Sequence, residues 1–329
     1  MRSMVEGFPL MLKAGRLDKT TLEEAEHNRQ KGIDGICLVG MGGSAIAGEI
    51  CAAYLSDRSA IPVVTFQGYT LPPFVNERWA VIAVSYSGDT DETLSAFESA
   101  QSRGCPTFTF TTGGDLEKQA KGTPIQKLTT GFQPRAALPL ILSGILPLLE
   151  IILNLQRTDL ESAATDLERM SKDWENMPFT PKQLAKDAMG KIPLFVGWKH
   201  LTPVAYRARC QMNENAKVMA FNSELPEASH NEIEGTASCG EFPLLPVFLR
   251  STEEDQKTRN RFEATLEIFS KNGCNPMNLE LGLRSRIQES LGFTFFLDLV
   301  SIELAELRDV DPLEVKRITE LKKKLRKTT

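Results

Sequence analysis

The chain has 329 residues, a length typical of two domains, and its 41% apolar and 25% charged residues are those of an ordinary globular protein. The net charge of −5 argues against a broad nucleic-acid-binding face, which needs clustered basic residues. The six cysteines and three histidines form no C-x-x-C pair and show no zinc-ligand spacing. We therefore expect reduced thiols in a cytoplasmic protein without a metal site or a signal peptide.

The first half of the chain alternates short apolar runs with segments of helix length. The runs are continuously apolar, which is typical of strands buried on both faces of a parallel sheet. This order of strands and helices predicts a doubly wound α/β fold. The predicted strands are 36–39, 62–66, 80–84 and 107–110, and the helices between them include 44–55 and 90–102.

Residues 136–153 are apolar for about the length of a membrane span. They also include Pro139, Gly144, Pro147 and Glu150, and a single segment with an internal acid is a weak membrane candidate. We predict instead a helix that is buried between domains or subunits.

The second half starts again after a polar helical stretch at 158–175. Its first apolar run, 192–197, repeats the strand-then-glycine pattern of 36–40 at an offset of roughly 157 residues. We therefore predict two copies of one α/β unit, an N-terminal domain over 1–157 and a C-terminal domain over 158–329. The further predicted elements are a helix at 203–213, strands at 218–221, 244–249 and 276–281, and C-terminal helices at 284–307 and 312–327, the last opened by Asp311 as N-cap and Pro312 as first residue.

Two loops that each join a predicted strand to a predicted helix carry candidate ligand-binding residues. Residues 40–45, the glycine loop, read G-M-G-G-S-A, and glycines let backbone amides approach an anion at a helix N-terminus. Residues 85–90, the hydroxyl loop, read S-Y-S-G-D-T and offer three hydroxyls to a phosphate monoester. Because both loops follow strands of one parallel sheet, we expect them to share a pocket at its carboxyl edge.

Each loop also has a simpler interpretation. The glycine loop approximates a dinucleotide fingerprint, but the second strand ends in Phe66-Gln67-Gly68 and lacks the acid that holds a ribose. It equally fits a tight turn that only needs small residues. In the hydroxyl loop, Ser87 or Thr90 alone suffices to cap the next helix. No P-loop lysine follows, which argues against a nucleoside triphosphate.

Three further residues have side chains suited to catalysis. Arg135 is predicted in the first turn of the apolar helix, where a cation is electrostatically disfavoured unless an anion offsets it. A solvated helix flank is the alternative. Glu214 lies in N-E-N and His230 in H-N-E, and a carboxylate and an imidazole are groups that move protons. Taken alone, they also fit a surface acid and a loop histidine.

The motifs taken together resemble a known family. The stretches 42–44, 85–90, 134–135, 213–215 and 230–232 occur in the order seen in archaeal-type bifunctional phosphoglucose/phosphomannose isomerases. These enzymes are built from sugar isomerase (SIS) domains, and the resemblance covers nearly the whole chain. The S-Y-S-G-x-T loop is specific for phosphosugar SIS domains, and E-x-N-x-K with H-N-E-I narrows it to the phosphoglucose isomerase branch. The implied fold is two doubly wound parallel-sheet SIS domains in tandem, with a helical C-terminal segment.

The resemblance implies an aldose–ketose isomerase that needs neither metal nor cofactor. It would interconvert glucose 6-phosphate, and mannose 6-phosphate, with fructose 6-phosphate through a cis-enediol. By the same resemblance, Ser85, Ser87 and Thr90 hold the phosphate of the phosphorylated hexose, while Gly43 and Ser44 line the sugar site.

The resemblance also assigns the catalytic roles. Glu214 looks like the base that moves a proton between C1 and C2, and Arg135 looks like the cation that stabilises the enediolate. His230 looks like the ring-opening group and is expected from the neighbouring subunit, which implies a homodimer with composite active sites. Lys322, in an I-x-x-L-K pattern, assists ring opening in this picture. The alternatives are a neighbouring lysine or a solvated basic helix end.

Two positions depart from the family pattern. Asp89 stands where the family often has asparagine, and an acid beside a phosphate is unfavourable unless it points away or caps a helix. Leu313 stands where we look for the threonine linked to acceptance of both C2 epimers. The alternative functions are a non-catalytic sugar-phosphate-binding SIS protein, a nicotinamide dehydrogenase and a different phosphosugar isomerase, such as one acting on an aminosugar.

Overall fold

The computed structural model describes residues 1–325 of the chain. The chain divides into two compact units. The N-terminal unit comprises Ser3–Met170 and Arg286–Ser290, and the C-terminal unit comprises Met1–Arg2, Ser171–Ser285 and the chain from Leu291 on. Each unit contains its own parallel sheet, so the α/β prediction is confirmed. The domain boundary between 157 and 158 stays a prediction.

The N-terminal unit is built on a five-stranded sheet of order β2-β1-β3-β4-β5, in which all neighbouring strands are parallel. Its strands are β1 (Gly35–Gly40), β2 (Val63–Phe66), β3 (Trp79–Ser85), β4 (Thr107–Thr111) and β5 (Ile125–Lys127). The first eight helices of the chain are α1 (Arg2–Glu6), α2 (Phe8–Ala14), α3 (Lys19–Lys31), α4 (Gly43–Leu55), α5 (Asp91–Ser102), α6 (Gly114–Gln119), α7 (Leu138–Ile152) and α8 (Leu160–Asp173).

Helices cover both faces of this sheet. On one face, Phe97 of α5 packs in a buried cluster with Val81 of β3. On the other, α4 approaches so closely that a Cβ at Gly48 would lie 3.2 Å from Cβ of Leu38. The strands are therefore covered on both faces, and this explains why their apolar runs are continuous. The doubly wound prediction is confirmed for this unit.

The apolar segment 136–153 forms the buried helix α7. It packs against α2, α3 and α4, and Gly144 fits against the ring of Phe110 in β4. The expectation of a helix between domains is wrong, because α2, α3 and α4, which pack most extensively against α7, belong to its own unit. Its position relative to another subunit stays a prediction. Within residues 1–325, no helix combines the length and the apolar character needed to cross a membrane.

The C-terminal unit is built on a four-stranded parallel sheet of order β7-β6-β8-β9. Its strands are β6 (Ile192–Trp198), β7 (Phe221–Leu225), β8 (Leu244–Leu249) and β9 (Met277–Leu279). The remaining α-helices are α9 (Pro181–Asp187), α10 (Thr202–Gln211), α11 (Glu232–Gly235), α12 (Gln256–Lys271), α13 (Arg286–Leu307) and α14 (Lys316–Leu325). Short 3₁₀ helices cover Trp174–Asn176, Lys199–Leu201, Glu227–His230 and Thr236–Glu241, and a π-helix covers Met212–Ala216.

Aromatic side chains fill the core of this unit. The ring of Phe248 in β8 meets Phe262 and Phe269 of α12 edge-on, at centroid distances of 6.1 and 5.8 Å. Trp174 packs against Phe295 and Phe296 of α13, at 5.4 and 5.1 Å. Such pairs contribute roughly 0.5–1.5 kcal/mol each beyond the area they bury.

Two predicted elements of the C-terminal half are wrong in their bounds. The strand predicted at 218–221 begins only at Phe221, because the amides of Val218 and Ala220 bond to Met212 O and Asn213 Oδ1 instead of a strand.

The helix predicted at 312–327 begins at Lys316. Asp311 is not its N-cap, since its Oδ1 accepts the amide of Leu313 and closes a turn ahead of the helix. The last predicted residues, 326 and 327, lie outside the described part of the chain.

Candidate active site

The two candidate loops of the N-terminal unit begin side by side. β1 and β3 are neighbours, and Gly40 at the end of β1 pairs with Val84. A Cβ at Gly40 would lie 2.9 Å from the carbonyl oxygen of Val84, so glycine permits this close approach. The glycine loop and the hydroxyl loop therefore leave the same edge of the sheet, as expected from the parallel order of the strands.

The hydroxyl loop joins β3 to α5 and is closed by its own hydrogen bonds. Ser85 is the last residue of β3 and is 2% exposed. Its Oγ accepts a bond from the amide of Gly88 at 3.1 Å and lies 3.0 Å from Oγ1 of Thr90. Ser87 is exposed, and Thr90 is half-buried. The structure thus brings the hydroxyls of Ser85 and Thr90 together, while Ser87 lies exposed on the same loop.

Thr90 stands at the N-cap of α5 but does not cap it. A threonine at this position normally accepts a bond from an amide of the first turn. Here its side chain makes no such bond, and its hydroxyl meets that of Ser85 instead. The capping interpretation is therefore wrong for Thr90. Each hydroxyl has one donor and two acceptor sites, so the pair retains capacity for a ligand next to the positive end of the α5 dipole.

Asp89 and Gly88 connect the loop to α6. Asp89 Oδ1 accepts the amide of Asp115, in the first turn of α6, at 3.0 Å. The Asp89 carboxylate thus binds a backbone amide at the start of another helix, which accounts for an acid at this position. Gly88 has φ +81°, and a Cβ there would lie 1.9 Å from Gly113 O. Glycine is required here for both its conformation and its size.

Tyr86 anchors the segment that precedes Arg135 through hydrogen bonds to Thr129 and Phe132. The sequence did not reveal this role. The Tyr86 hydroxyl donates to Thr129 O at 2.8 Å and accepts the amide of Phe132 at 3.0 Å. The side chain is 7% exposed, and burial raises the pKa of this phenol, so it stays protonated and can donate. The only signal in the sequence is an aromatic residue between two serines.

The glycine loop approaches the segment that carries Arg135. Gly42, with φ +54°, is the N-cap of α4, and Gly43 begins the helix. A Cβ at Gly43 would lie 3.1 Å from Pro134 O and 3.2 Å from Cα of Arg135. Ser44 follows and is 7% exposed. Gly43 and Arg135, predicted as sugar-site and catalytic residues, are therefore neighbours.

Arg135 lies in a turn that precedes α7 rather than in its first helical turn. The turn is closed by a bond from the amide of Ala136 to Gln133 O at 2.8 Å, and the helix begins only at Leu138. The side chain is 6% exposed, and Nη1 lies 3.5 Å from Gln133 Oε1. The solvated-flank interpretation is thus wrong, since this cation is buried.

In the C-terminal unit, Glu214 lies on the π-helix that follows α10. Its side chain is half-buried. The backbone turns sharply at Lys217, which is left-handed with φ +57°. The Lys217 ammonium donates to Glu214 O at 2.6 Å and to Asp311 O at 2.8 Å. These bonds fix the backbone that carries the Glu214 carboxylate, and π-helical turns occur frequently at functional sites.

A buried polar network links this turn to α10 and α13. Asn215, fully buried, donates through Nδ2 to Ser301 Oγ at 2.9 Å, and Ser301 donates to Asp298 O at 2.6 Å. Asp298 accepts two bonds from Arg207, at 2.9 and 2.5 Å, and both side chains are almost fully buried. Burial raises the pKa of the Asp298 carboxyl, and the Arg207 guanidinium opposes that rise.

His230 and Lys322 are both exposed. His230 ends the 3₁₀ helix Glu227–His230, and Lys322 lies in the last turn of α14. Within residues 1–325, neither side chain forms a hydrogen bond or an ion pair. The structure therefore places both residues on the surface of the C-terminal unit, where another molecule can reach them.

Each unit contributes its own groups suited to chemistry on a phosphorylated substrate. Within the N-terminal unit, the hydroxyl loop offers donors to an anion and Arg135 offers a buried cation. Within the C-terminal unit, Glu214 offers a carboxylate for proton transfer. No group of three or more histidine, cysteine or acidic side chains suited to a metal ion exists within residues 1–325.

Comparisons with known proteins identify the family. Residues 180–325 match the family described as the bacterial phospho-glucose isomerase C-terminal SIS domain. Two curated relatives, both named bifunctional phosphoglucose/phosphomannose isomerase, come from Aquifex aeolicus and Caldicellulosiruptor bescii. The first is 35% identical over 89% of this chain and 91% of its own, and the second is 33% identical over 89% and 90%.

The fold has solved structural relatives as well. The C-terminal domain of glucosamine-fructose-6-phosphate aminotransferase from Francisella tularensis matches with a TM-score of 0.73 and 15% sequence identity, over 94% of this chain and 95% of that one. At this identity, the likeness shows the fold alone. With the identity and coverage of the curated relatives, we conclude that the chain belongs to the family of bifunctional phosphoglucose/phosphomannose isomerases.

Proposed function

We propose that this chain interconverts glucose 6-phosphate and mannose 6-phosphate with fructose 6-phosphate. The observation that carries the proposal is the hydroxyl loop, where Thr90 stands at a helix N-cap and leaves the capping bond unmade. Hydroxyls and backbone amides at the positive end of a helix suit a phosphate monoester. The family of the chain supports a hexose as the rest of the substrate.

Binding of the phosphate anchors the substrate away from its reacting carbons. In the proposal, Ser85, Ser87 and Thr90 hold the phosphate, and Gly43 and Ser44 line the sugar site. Interactions with this remote group position C1 and C2 and convert binding energy into catalysis. The close backbone approach at Gly43 supports this role, since a larger residue there would press against Pro134 and Arg135.

Glu214 is the proposed base. It removes the proton from C2 of the open-chain aldose and returns it to C1, while the hydroxyl proton of the C2 oxygen moves to the C1 oxygen, so that C1 becomes an alcohol and C2 a ketone. A positioned acid–base group contributes roughly 10²–10⁴-fold to the rate. The bonds of Lys217 and the buried Asn215 support a fixed position for this carboxylate.

Arg135 is the proposed stabiliser of the enediolate. A cation that is largely removed from water interacts strongly with charge that develops beside it, and Arg135 is 6% exposed. The proposed steps require neither a metal ion nor a cofactor.

His230 and Lys322 are the proposed ring-opening groups. Opening the pyranose requires a proton to leave the anomeric hydroxyl and one to reach the ring oxygen, which an imidazole and an ammonium can exchange. We propose that the chain works as a homodimer in which His230 serves the active site of the partner copy. Its surface position and its freedom from bonds within the described chain support this assignment.

Tolerance of both C2 epimers follows from the chemistry of the intermediate. Glucose 6-phosphate and mannose 6-phosphate give the same enediol once C2 becomes planar. The site therefore needs only to accept the C2 proton from either face, and Leu313, exposed ahead of α14, is where we look for a residue that affects this preference.

Replacement of Glu214 tests the proposal. Glu214→Gln keeps the shape of the side chain and removes the base, so we expect kcat to fall roughly 10²–10⁴-fold while Kd for fructose 6-phosphate stays within a few-fold. Glu224→Gln, at an exposed glutamate of β7 in the same unit, is the matched control and retains full activity. Unchanged turnover in Glu214→Gln would remove Glu214 from the mechanism.

A further inference from the structure

The C-terminal unit repeats the strand order of the N-terminal unit. The sheet of the C-terminal unit has the spatial order β7-β6-β8-β9, and the first four strands of the N-terminal sheet have the order β2-β1-β3-β4. In both sheets the first strand along the chain lies between the second and the third, and the fourth lies beside the third. The loop after β8 is therefore the topological counterpart of the hydroxyl loop after β3. We call residues 250–255, which join β8 to α12, the counterpart loop.

A shared local turn aligns the first residues of the two loops, counted from the ends of their strands. In the hydroxyl loop, Ser87 is the second residue after the strand, and its Oγ accepts the amide of Asp89 at 3.3 Å. In the counterpart loop, Ser251 is likewise second after the strand, and its Oγ accepts the amide of Glu253 at 3.0 Å. Counted from the strand, the alignment places Glu254 at the position of Thr90. The connection from β8 to α12 is one residue longer than that from β3 to α5, and its extra residue, Asp255, caps α12 through the amide of Thr258.

At the two positions that match Ser85 and Thr90, the hydroxyl is lost and one of the replacements is an acid. Ser251 keeps the hydroxyl of Ser87, and Thr252 stands at the position of Gly88. Leu249 takes the position of Ser85, the residue that closes the hydroxyl loop through its Oγ. Glu254 takes the position of Thr90 and is 7% exposed. A buried carboxylate at this point would repel a phosphate, so the counterpart loop cannot bind one as the hydroxyl loop is proposed to do.

Glu254 is held by the kind of donors that bind a phosphate. Its Oε1 accepts the amide of Ser251 at 2.8 Å. Arg250 donates to it from Nε at 2.9 Å and from Nη2 at 2.6 Å. A backbone amide and a guanidinium fork thus converge on one buried anion, which is the way oxyanions are commonly bound.

Arg250 is also held independently of Glu254. Its guanidinium lies over the ring of Phe262 at 4.7 Å, and Nη1 donates to Asn278 Oδ1 at 2.9 Å. These contacts come from α12 and from β9. Removal of the Glu254 carboxylate therefore leaves a positioned cation and a positioned amide in the loop.

We propose that Glu254 is a built-in anion that fills the degenerate phosphate loop of the C-terminal unit, so that removing its carboxylate exposes a second binding site for inorganic phosphate. The inference rests on the proposed function only in taking the hydroxyl loop as a phosphate loop. It implies that the natural chain binds one phosphosugar, through its N-terminal unit.

A thermal-shift experiment with inorganic phosphate tests the proposal. The background variant carries Ser87→Ala and Thr90→Val to weaken the hydroxyl loop, and Glu254→Ala is added to it. The matched control is Glu253→Ala, which removes an exposed acid of the same loop. At a phosphate concentration ten times the Kd of the new site, we expect the melting temperature of the Glu254→Ala variant to rise by a few degrees. The melting temperature of the Glu253→Ala control should not change. Equal shifts in both variants would overturn the proposal.

A second measurement uses the unaltered chain and does not depend on how Glu254→Ala folds. Calorimetric titration with fructose 6-phosphate is expected to give one site per chain, whereas two sites per chain would overturn the inference. Failure of the proposed function gives a different result. The background variant, Ser87→Ala with Thr90→Val, would then bind fructose 6-phosphate with the same Kd as the unaltered chain.

Discussion

Replacing Gly88 with alanine tests the geometry of the hydroxyl loop most severely. Gly88 has φ +81°, and an alanine in this conformation costs about 1 kcal/mol of backbone strain. Its Cβ would lie 1.9 Å from Gly113 O, so the two chain segments must separate by more than 1 Å. Overpacking of this kind costs about 1–3 kcal/mol more. The total of about 2–4 kcal/mol corresponds to a melting temperature lower by roughly 5–15 °C.

The same displacement disturbs ligand binding. The amide of Gly88 bonds to Ser85 Oγ at 3.1 Å, and Gly88 O accepts the amide of Leu116 at 2.9 Å. A shifted loop misplaces Ser85, and each lost bond to a charged phosphate is worth about 1.5–3 kcal/mol. We therefore expect KM for glucose 6-phosphate to rise at least ~10-fold.

Gly122→Ala is the matched control, because Gly122 has φ +89° and no atom lies within 4 Å of a Cβ built there. It carries the backbone strain of about 1 kcal/mol without the collision. We expect its melting temperature to fall by only ~2–4 °C and its KM to stay unchanged. Thermal melts and steady-state kinetics on both variants decide the matter. If Gly88→Ala matched Gly122→Ala in both measurements, the close packing of the loop would not matter for binding.

Two further predictions follow from the same contacts. Thr90→Val removes a proposed phosphate donor but no capping bond. Steady-state kinetics should therefore show a KM roughly 10-fold higher, while the melting temperature changes by less than ~2 °C. A large loss of stability would contradict the uncapped geometry. Burial raises the pKa of Cys37 to about 12, with Cys105 adding to the rise. The folded state thus keeps a proton that the unfolded thiol loses above its ordinary pKa of about 9, and stability should fall as pH rises through 9–12. Denaturant titrations at several pH values should show that Cys37→Ala reduces this slope by roughly 1.4 kcal/mol per pH unit, and equal slopes would contradict the assignment.

The sequence predicts the candidate loops well because their signals are local. A continuous apolar run that ends in glycines or hydroxyls specifies a buried strand and the loop after it. The parallel order then places the ends of β1 and β3 side by side, as the pairing of Gly40 with Val84 confirms. The position of Arg135 beside Gly43 is not local, since it depends on how α7 packs and on the bonds of Tyr86 to the preceding segment.

Local signals fail where polar groups take over the backbone bonds. The apolar residues after Lys217 predict a strand at 218–221, but the amides there bond to the turn that carries Glu214. Asp311 and Pro312 predict a helix start, but Asp311 closes a turn of its own. The capping expectation for Thr90 fails in the same way, because its hydroxyl meets Ser85 across the loop.

The most direct test of the proposed activity is a coupled assay for fructose 6-phosphate. Glucose 6-phosphate and mannose 6-phosphate are supplied separately, each with and without a chelator. We expect turnover of both substrates at rates that the chelator does not change. Absence of turnover with either substrate, while fructose 6-phosphate still raises the melting temperature, would contradict the isomerase and indicate a sugar-phosphate-binding protein or an enzyme for another phosphosugar.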